Sequence, residues 1–126
     1  MRSTQRDEAG SAGVLLCLAL VVLLVVTAVG AVGGAYAVAL HRTRAAADQA
    51  ALAGSLVRSQ GHDPCPAATR HVADDPATDV VSCRLVGDAY RYVVSVTVER
   101  DVATTLPGLP GAVRATAHAG TVPRTP

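Results

Sequence analysis

An uncharged, apolar run near the N-terminus constrains this chain more than any other feature. No Asp, Glu, Lys, Arg or His occurs from Ala9 to Leu40, and the strongly apolar stretch Ala12–Leu40 covers 29 residues. A helix needs about 20 apolar residues to cross the hydrocarbon core of a bilayer, where unpaired backbone groups are costly. The rest of the chain is too short and too polar to bury such a helix in a soluble core. The sequence therefore predicts a membrane-inserting helix at 12–40 that follows a stub at 1–11.

The apolar run has two interpretations, a retained anchor and a cleaved signal peptide. Ala35-Tyr36-Ala37 has the small-x-small form of a signal-peptidase site. The apolar region of a signal peptide is about 7–15 residues long, however, and the N-terminal stub mixes Asp7 and Glu8 with its arginines. We therefore expect a retained anchor that contacts membrane lipid. The alternative is a small secreted, disulfide-stapled binding domain released after Ala37.

Orientation is predicted from cysteine usage, because arginines flank the run on both sides. Cys65 and Cys83 lie in the polar part of the chain, and a cysteine pair in a small domain is typical of an oxidising compartment. We expect a single-pass protein of the cytoplasmic membrane with a cytoplasmic stub and its C-terminal head outside.

Composition argues against several classes of function. A formal net charge of +1 is unlike the clustered basic excess of a nucleic-acid-binding protein. With no Trp or Phe, the chain lacks the large aromatics that usually line binding pockets, so no small-molecule substrate is expected.

Catalytic and metal-binding patterns are not found either. His62, Cys65, His71 and Cys83 are the conceivable metal ligands, but neither cysteine has a cysteine partner at the two-to-four-residue spacing of zinc sites. No G-x-S-x-G, phosphate-binding loop or dinucleotide fingerprint occurs. The prediction is a non-enzyme without metal or cofactor, and a small membrane-bound hydrolase that uses His71 is kept as a further interpretation.

Helical signals continue beyond the apolar run. Residues 41–60 are rich in Ala, Leu, Arg and Gln, which predicts that the helix extends to about Gln60 and stops at Gly61. Asp63-Pro64 combines a favoured N-cap residue with Pro at the first helical position and predicts a short second helix. In that helix an apolar stripe is formed by Cys65, Ala68 and Val72. Asp74-Asp75 is interpreted as its solvated C-terminal end.

The period then changes from helical to alternating. Three strands of an antiparallel sheet are predicted, with a hairpin turn at Gly87-Asp88 and a proline-rich loop at 106–111. The predicted apolar positions are Val81, Cys83 and Leu85 in the first strand, Tyr90, Tyr92, Val94, Val96 and Val98 in the second, and Val113, Ala115 and Ala117 in the third. The fold class is therefore α+β, with a small head at 61–119 and a disordered tail at 120–126.

The cysteine positions suggest how the head is held together. The apolar face of the sheet must be covered, and the short helix and the continuation of the long helix are the available covers. Cys65 lies on the stripe of the short helix and Cys83 on the apolar face of the first strand, so we expect a Cys65–Cys83 disulfide. Closing a loop of this length stabilises a small domain by roughly 3 kcal/mol.

The order of segments resembles a known family. Residues Arg44–Gly54 read RAAADQAALAG and resemble the segment that follows the membrane helix in TadE- and TadG-like proteins. Three later motifs, Cys65-Pro-Ala-Ala-Thr-Arg, Ser82-Cys83-Arg84 and the loop 106–111, are similar to the actinobacterial helicase/secretion-neighbourhood TadE-like branch. The resemblance implies a pilin-like, membrane-anchored pseudopilin-like accessory of Flp-type pilus or secretion machinery. Its implied partners are other TadE/TadG-like or pilin-like membrane proteins.

The chain departs from this family at one point. The resemblance implies a Gly before the apolar helix and a Glu five residues after it in prepilin-peptidase substrates, but here Leu15 and Leu18 lie five residues past Gly10 and Gly13. A fixed membrane component is therefore expected rather than a polymerising subunit.

Two helix surfaces are predicted to pack on partners. Gly30 and Gly34 match the GxxxG spacing that lets membrane helices approach closely, although glycine is also simply tolerated in such helices. The second surface lies on the exposed helix beyond the membrane and comprises Asp48, Leu52 and Leu56.

Overall fold

Two helices and a three-stranded sheet make up the computed structural model, which describes residues 4–103 and 107–121. The elements in chain order are α1 (Thr4–Ser59), α2 (Pro64–Val72), β1 (Thr78–Gly87), β2 (Tyr92–Asp101) and β3 (Ala112–Gly120). The predicted α+β class is confirmed. The chain divides into two compact units, the first ending at Tyr36 and the second, called the head below, beginning at Ala37.

Helix α1 begins earlier than expected and ends where expected. It starts at Thr4, inside the predicted stub, because residues 5–9 are mostly good helix formers; residues 1–3 lie outside the described part. At the other end, Gly61 adopts a positive φ of 85° and its N–H donates to the carbonyl of Arg58 at 2.9 Å. A left-handed glycine of this kind is a common helix terminator.

Helix α2 follows the predicted capping pattern. Asp63 has extended backbone angles, its side chain accepts a hydrogen bond from the N–H of Cys65 at 3.1 Å, and Pro64 opens the helix. Two positions of the predicted apolar stripe, Ala68 and Val72, are buried, and Cys65 is half-buried. The short helix therefore lays one apolar side on the rest of the head.

The sheet is antiparallel in the order β1-β2-β3. The hairpin between β1 and β2 is held by Asp88, whose carboxylate accepts from the N–H groups of Tyr90 at 2.9 Å and Arg91 at 2.8 Å. Gly87, with φ 112°, is required there because a Cβ would lie 2.0 Å from the carbonyl oxygen of Arg91.

Two predictions about side-chain direction in the first hairpin are wrong. Val81 was expected on the apolar face but is 48% exposed, because the register shifts between Val80 and Ser82 and a β-bulge turns Val81 outward. Tyr90 was expected to begin the second strand but is 88% exposed in the hairpin loop, because its backbone N–H donates to the Asp88 carboxylate. The strand proper begins at Tyr92.

The core lies between the sheet and the two helices. Its buried members from the helices are small residues of α1 together with Ala68 and Val72 of α2, and the sheet contributes the alternating side chains of β2. The buried apolar cluster consists of Ala47, Ala50, Ala51, Ala68, Val72, Tyr92, Val94, Val96, Val98 and Ala117. The predicted covering of the sheet by both helices is thus observed.

The third strand reaches further than expected. Gly120 pairs with Val93, and the N–H of Thr121 donates to the carbonyl of Tyr92 at 3.1 Å, so the first two residues of the predicted tail are hydrogen-bonded to β2 or continue its pairing. The remainder of that prediction, residues 122–126, lies outside the described residues.

Candidate functional site

The head portion of α1 carries small residues on its buried side. Ala47, Ala50 and Ala51 are essentially inaccessible, and a Cβ built on Gly54 would lie 3.2 Å from both the Pro64 carbonyl oxygen and Val94 Cγ1. Small side chains let a helix backbone approach its neighbours closely. The sequence did not single out this alanine face, although the spacing of alanines at 47, 50, 51 and Gly54 is helical.

The same helix portion carries its large apolar side chains outward. Leu52 is 61% exposed and Leu56 is 63% exposed, and Asp48 is also exposed. Spacings of four residues place these three on adjoining parts of one helix face. A helix that buries alanine and exposes leucine leaves an apolar stripe, which we call the leucine stripe, that the fold of the head does not use.

The apolar run of α1 is likewise uncovered. One stretch of α1 is long and apolar enough to cross a membrane, with a mean hydropathy of 3.0 over an 18-residue window, none of which is buried. Gly30 and Gly34 are exposed, and nothing lies within 4 Å of a Cβ built on either. The run is therefore a candidate membrane span.

A disulfide joins α2 to β1. The Cys65 and Cys83 sulfurs are bonded, with Cα atoms 5.7 Å apart and a sequence separation of 18. The bridge removes both cysteines from the conceivable metal set, and among residues 4–103 and 107–121 no group of three or more His, Cys, Asp or Glu is placed to hold a metal ion. The free cysteine in the described part is Cys17, in the apolar run.

Asp75 ties together three parts of the head and is not the solvated helix end that was expected. Its carboxylate accepts from the Ala77 N–H at 3.0 Å and the Thr78 hydroxyl at 3.2 Å, and it forms an ion pair with Arg100. The hydrogen bond from the backbone of Ala77, aided by Arg100, holds the pKa of Asp75 below its usual value. The residue links the α2–β1 turn to the end of β2.

A cleft lies beside this ion pair in the head. It has a volume of about 320 Å³ and is lined by α1, the end of α2 and the facing strand ends, including Arg42, Gln49, His71 and Arg100. His71 Nε2 lies 3.4 Å from Gln49 Oε1, a weak contact. The Thr78 hydroxyl also lines the cleft, but it donates to Asp75, and the hydrogen-bond partner of His71 is Gln49, so the hydrolase interpretation built on His71 gains no support.

The outer face of the sheet carries polar cross-strand pairs that the sequence analysis did not identify. Ser95 Oγ lies 2.7 Å from His118 Nδ1, and the hydroxyls of Thr97 and Thr116 are 2.8 Å apart. Within the described part of the chain no carboxylate contacts His118, and the pair lies on an exposed strand face. These pairs align the strands.

The described geometry thus offers surfaces for packing. The family model described as "Putative Flp pilus-assembly TadE/G-like" matches residues 10–73, which is just over half of the chain. The chain belongs to this Tad family. Comparison with curated proteins and with solved structures finds no significant match.

The Tad match covers both predicted packing surfaces. It includes the whole apolar run, the leucine stripe and all of α2, and it stops before β1. The predicted resemblance to TadE- and TadG-like proteins is confirmed. Membership in a pilus-assembly family, which is not an enzyme class, agrees with surfaces suited to protein packing.

Proposed function

We propose that this Tad-family chain is a membrane-anchored, pseudopilin-like accessory component of an Flp-type pilus or secretion system. It acts by packing on other TadE/TadG-like or pilin-like membrane proteins. The observation that carries this proposal is the coincidence of family membership with two uncovered helix surfaces, one at Gly30 and Gly34 and one along the leucine stripe. Neither surface has a role in folding the chain itself.

The proposal places the head outside the cytoplasmic membrane, with α1 retained as its anchor. A disulfide between α2 and β1 is typical of an oxidising compartment. Helix α1 runs without a break from Thr4 to Ser59, so that cleavage after Ala37 would cut a continuous helix. Both observations support an anchored, exported head.

A second candidate function is a released binding domain. It is favoured by one observation, the boundary between the two compact units, which falls at Tyr36/Ala37 beside the small-x-small site. Cleavage after Ala37 would leave the buried alanines, the disulfide and the sheet within one fragment. The size of the mature protein distinguishes the two candidates.

The leucine stripe is tested by photo-crosslinking in native membranes, with a crosslinking amino acid at position 48. Burying a leucine that is about 60% exposed contributes about 1–2 kcal/mol, so Leu52→Ser and Leu56→Ser should each weaken association roughly five- to thirtyfold. Val86→Ser, which removes an equally exposed apolar side chain from β1, is the matched control and should leave the crosslinks intact. Equal losses in all three variants would contradict a specific surface.

The membrane surface is tested in the same way, with the crosslinker at Thr27, one turn before Gly30. Gly30→Leu and Gly34→Leu should abolish crosslinks because a leucine side chain prevents close helix approach. Ala28→Leu is the control, since Ala28 is equally exposed but lies about 160° around the helix from Gly30. Unchanged crosslinks in Gly30→Leu and Gly34→Leu would exclude this face.

A further inference from the structure

The direction of α1 in the head decides which end of the sheet lies beside the first residues of α1 that belong to the head. Near the end of α1, the Tyr92 hydroxyl donates to the Ser55 carbonyl at 2.9 Å, and Gly54 lies against Val94. Nearer its start in the head, Arg42 lines a cleft shared with Arg100, close to the other end of β2. Helix α1 and β2 are therefore antiparallel. The connection from β2 to β3 therefore lies at the end of the head where α1 has its first head residues, which we call the basal end.

The β2–β3 connection at the basal end is apolar. No charged residue occurs from Val102 to Val113. The connection is closed by the N–H of Val102, which donates to the Gly111 carbonyl at 2.8 Å. Its described residues 107–111 are Pro, Gly, Leu, Pro and Gly, all exposed, with Leu109 39% exposed. An exposed leucine between two prolines, in a segment without charge, suits an interface less polar than water.

Arginines without partners flank this connection at the basal end. Arg42 and Arg44 follow the last residue of the apolar run, Leu40, by two and four positions, and both are exposed. Within residues 4–103 and 107–121 neither guanidinium has a hydrogen bond or an ion pair, whereas Arg100 and Arg114 are paired with Asp75 and Glu99. Two free cations therefore stand at the boundary of the apolar run.

Thr43 fixes the turn of α1 that carries these arginines. Its side chain is fully buried in the head, and its hydroxyl donates to the Ala39 carbonyl at 2.8 Å. With Thr43 held inward, the neighbouring positions 42 and 44 project from either side of the buried face, since successive helix residues are 100° apart. The arginines are thus set on a rigid part of the head.

We propose that the basal end of the head docks on the lipid bilayer, with Arg42 and Arg44 binding the phosphate groups of anionic phospholipids and Leu109 entering the headgroup region. Continuity with the apolar run and the charge of the two arginines identify the bilayer surface as the occupant. Docking would hold the head in one orientation above the membrane. The inference rests on the membrane anchorage in the proposed function and is independent of partner packing.

Tryptophan fluorescence tests the docking, because the chain contains no Trp. The full chain with Leu109→Trp is inserted into phosphatidylglycerol-containing vesicles whose acyl chains carry bromine as a quencher. Tyr90→Trp, at the opposite end of the sheet, is the matched control for the head, and Leu24→Trp in the apolar run reports insertion. We expect strong quenching at position 24, clear quenching and a blue-shifted emission at 109, and neither effect at 90.

The arginines are tested in the Leu109→Trp background. Neutralising one with Arg42→Gln or Arg44→Gln should lower the ratio of docked to undocked loop roughly fivefold, and phosphatidylcholine vesicles, which remove the attraction of both arginines, should lower it roughly twenty-fivefold. Quenching at position 24 with none at 109 would overturn the docking and leave the proposed function standing. No quenching at position 24 would overturn the anchorage and with it both proposals. Quenching at 109 that is unchanged by Arg42→Gln, by Arg44→Gln and by phosphatidylcholine vesicles would overturn the phosphate contacts.

Discussion

Gly54 sets how closely α1 approaches the rest of the head. A Cβ at this position would lie 3.2 Å from a backbone oxygen of α2 and from a core side chain of β2. Contacts this short require the neighbours to move, and one of the two is a backbone atom that cannot rotate away. A side chain larger than the hydrogen of glycine is therefore unfavourable at this position.

Gly54→Val should destabilise the head by about 1–3 kcal/mol through overpacking. The measurement is denaturant unfolding of the full chain in detergent micelles, followed by tyrosine circular dichroism. Ala45→Val places the same side chain at an exposed position of the same helix and should cost at most about 0.7 kcal/mol in helix propensity. Equal losses in the two variants would show that Gly54 is not a packing constraint.

Asp75 should make the stability of the head sensitive to acid. Its pKa is lower in the folded head than in an unfolded chain, so its contribution is present above about pH 4 and is lost as pH falls through the folded pKa. Asp75→Asn should therefore be less stable than the parent at neutral pH, with the difference shrinking in acid. Unfolding measured from about pH 7 to about pH 2 checks this.

Asp74→Asn is the control for that pH series. The Asp74 side chain is exposed and has no hydrogen-bond partner in the described residues, so its replacement should leave the profile unchanged. Asp88, whose pKa is lowered by hydrogen bonds from Arg91 and Tyr90, keeps part of the acid sensitivity in every variant. Parallel profiles for Asp75→Asn and the parent would contradict the role given to Asp75.

Among the elements, α2 and β2 could be predicted from the sequence and the first hairpin only in part. Asp63-Pro64 marks the start of α2, and strict alternation marks β2, because capping and burial act on neighbouring residues. The bulge at Val81 has no local signature, since an extra residue is recognised only against the register of the partner strand. Tyr90 fits the alternating pattern of β2 although it lies two residues before the strand begins. The hydrogen bonds to Asp88 hold it in the hairpin loop instead.

The sequence also predicts the packing surfaces only in part. The exposed leucines follow from helical spacing, but the sequence cannot tell that alanines rather than leucines face the sheet. That choice depends on the close approach at Gly54, which is a tertiary contact. The basal placement of the β2–β3 connection also depends on the direction of α1 relative to β2, which no local pattern encodes.

Linking α2 to β1 should stabilise the head by about 3 kcal/mol, because the bridge closes a loop of 18 residues. Cys65→Ser combined with Cys83→Ser should lose this amount in denaturant unfolding, and reductant should have the same effect on the parent. Cys17→Ser changes the free cysteine in the apolar run and should leave the stability of the head unaltered. A reductant effect that persists in the double variant would contradict the bridge.

The whole molecule combines an apolar helical segment, exposed over residues 12–35, with a head that has its own buried core. The head buries its alanines and β2 valines without using the leucine stripe, and in the described residues the 18-residue apolar window of α1 is unburied. The proposed function assigns both surfaces to packing in a membrane assembly, in keeping with membership in a pilus-assembly family. The proposal is that α1 is retained as an anchor and that the disulfide-bridged head is exported.

Intact mass of the protein from the membrane fraction tests that claim most directly. The sample is denatured without reductant and treated with a thiol-alkylating reagent, so that every free cysteine is labelled. The account predicts a chain that retains residues 12–40 and carries one label, on Cys17, because Cys65 and Cys83 are bridged. A product that begins at Val38, or a chain that carries three labels, would contradict it.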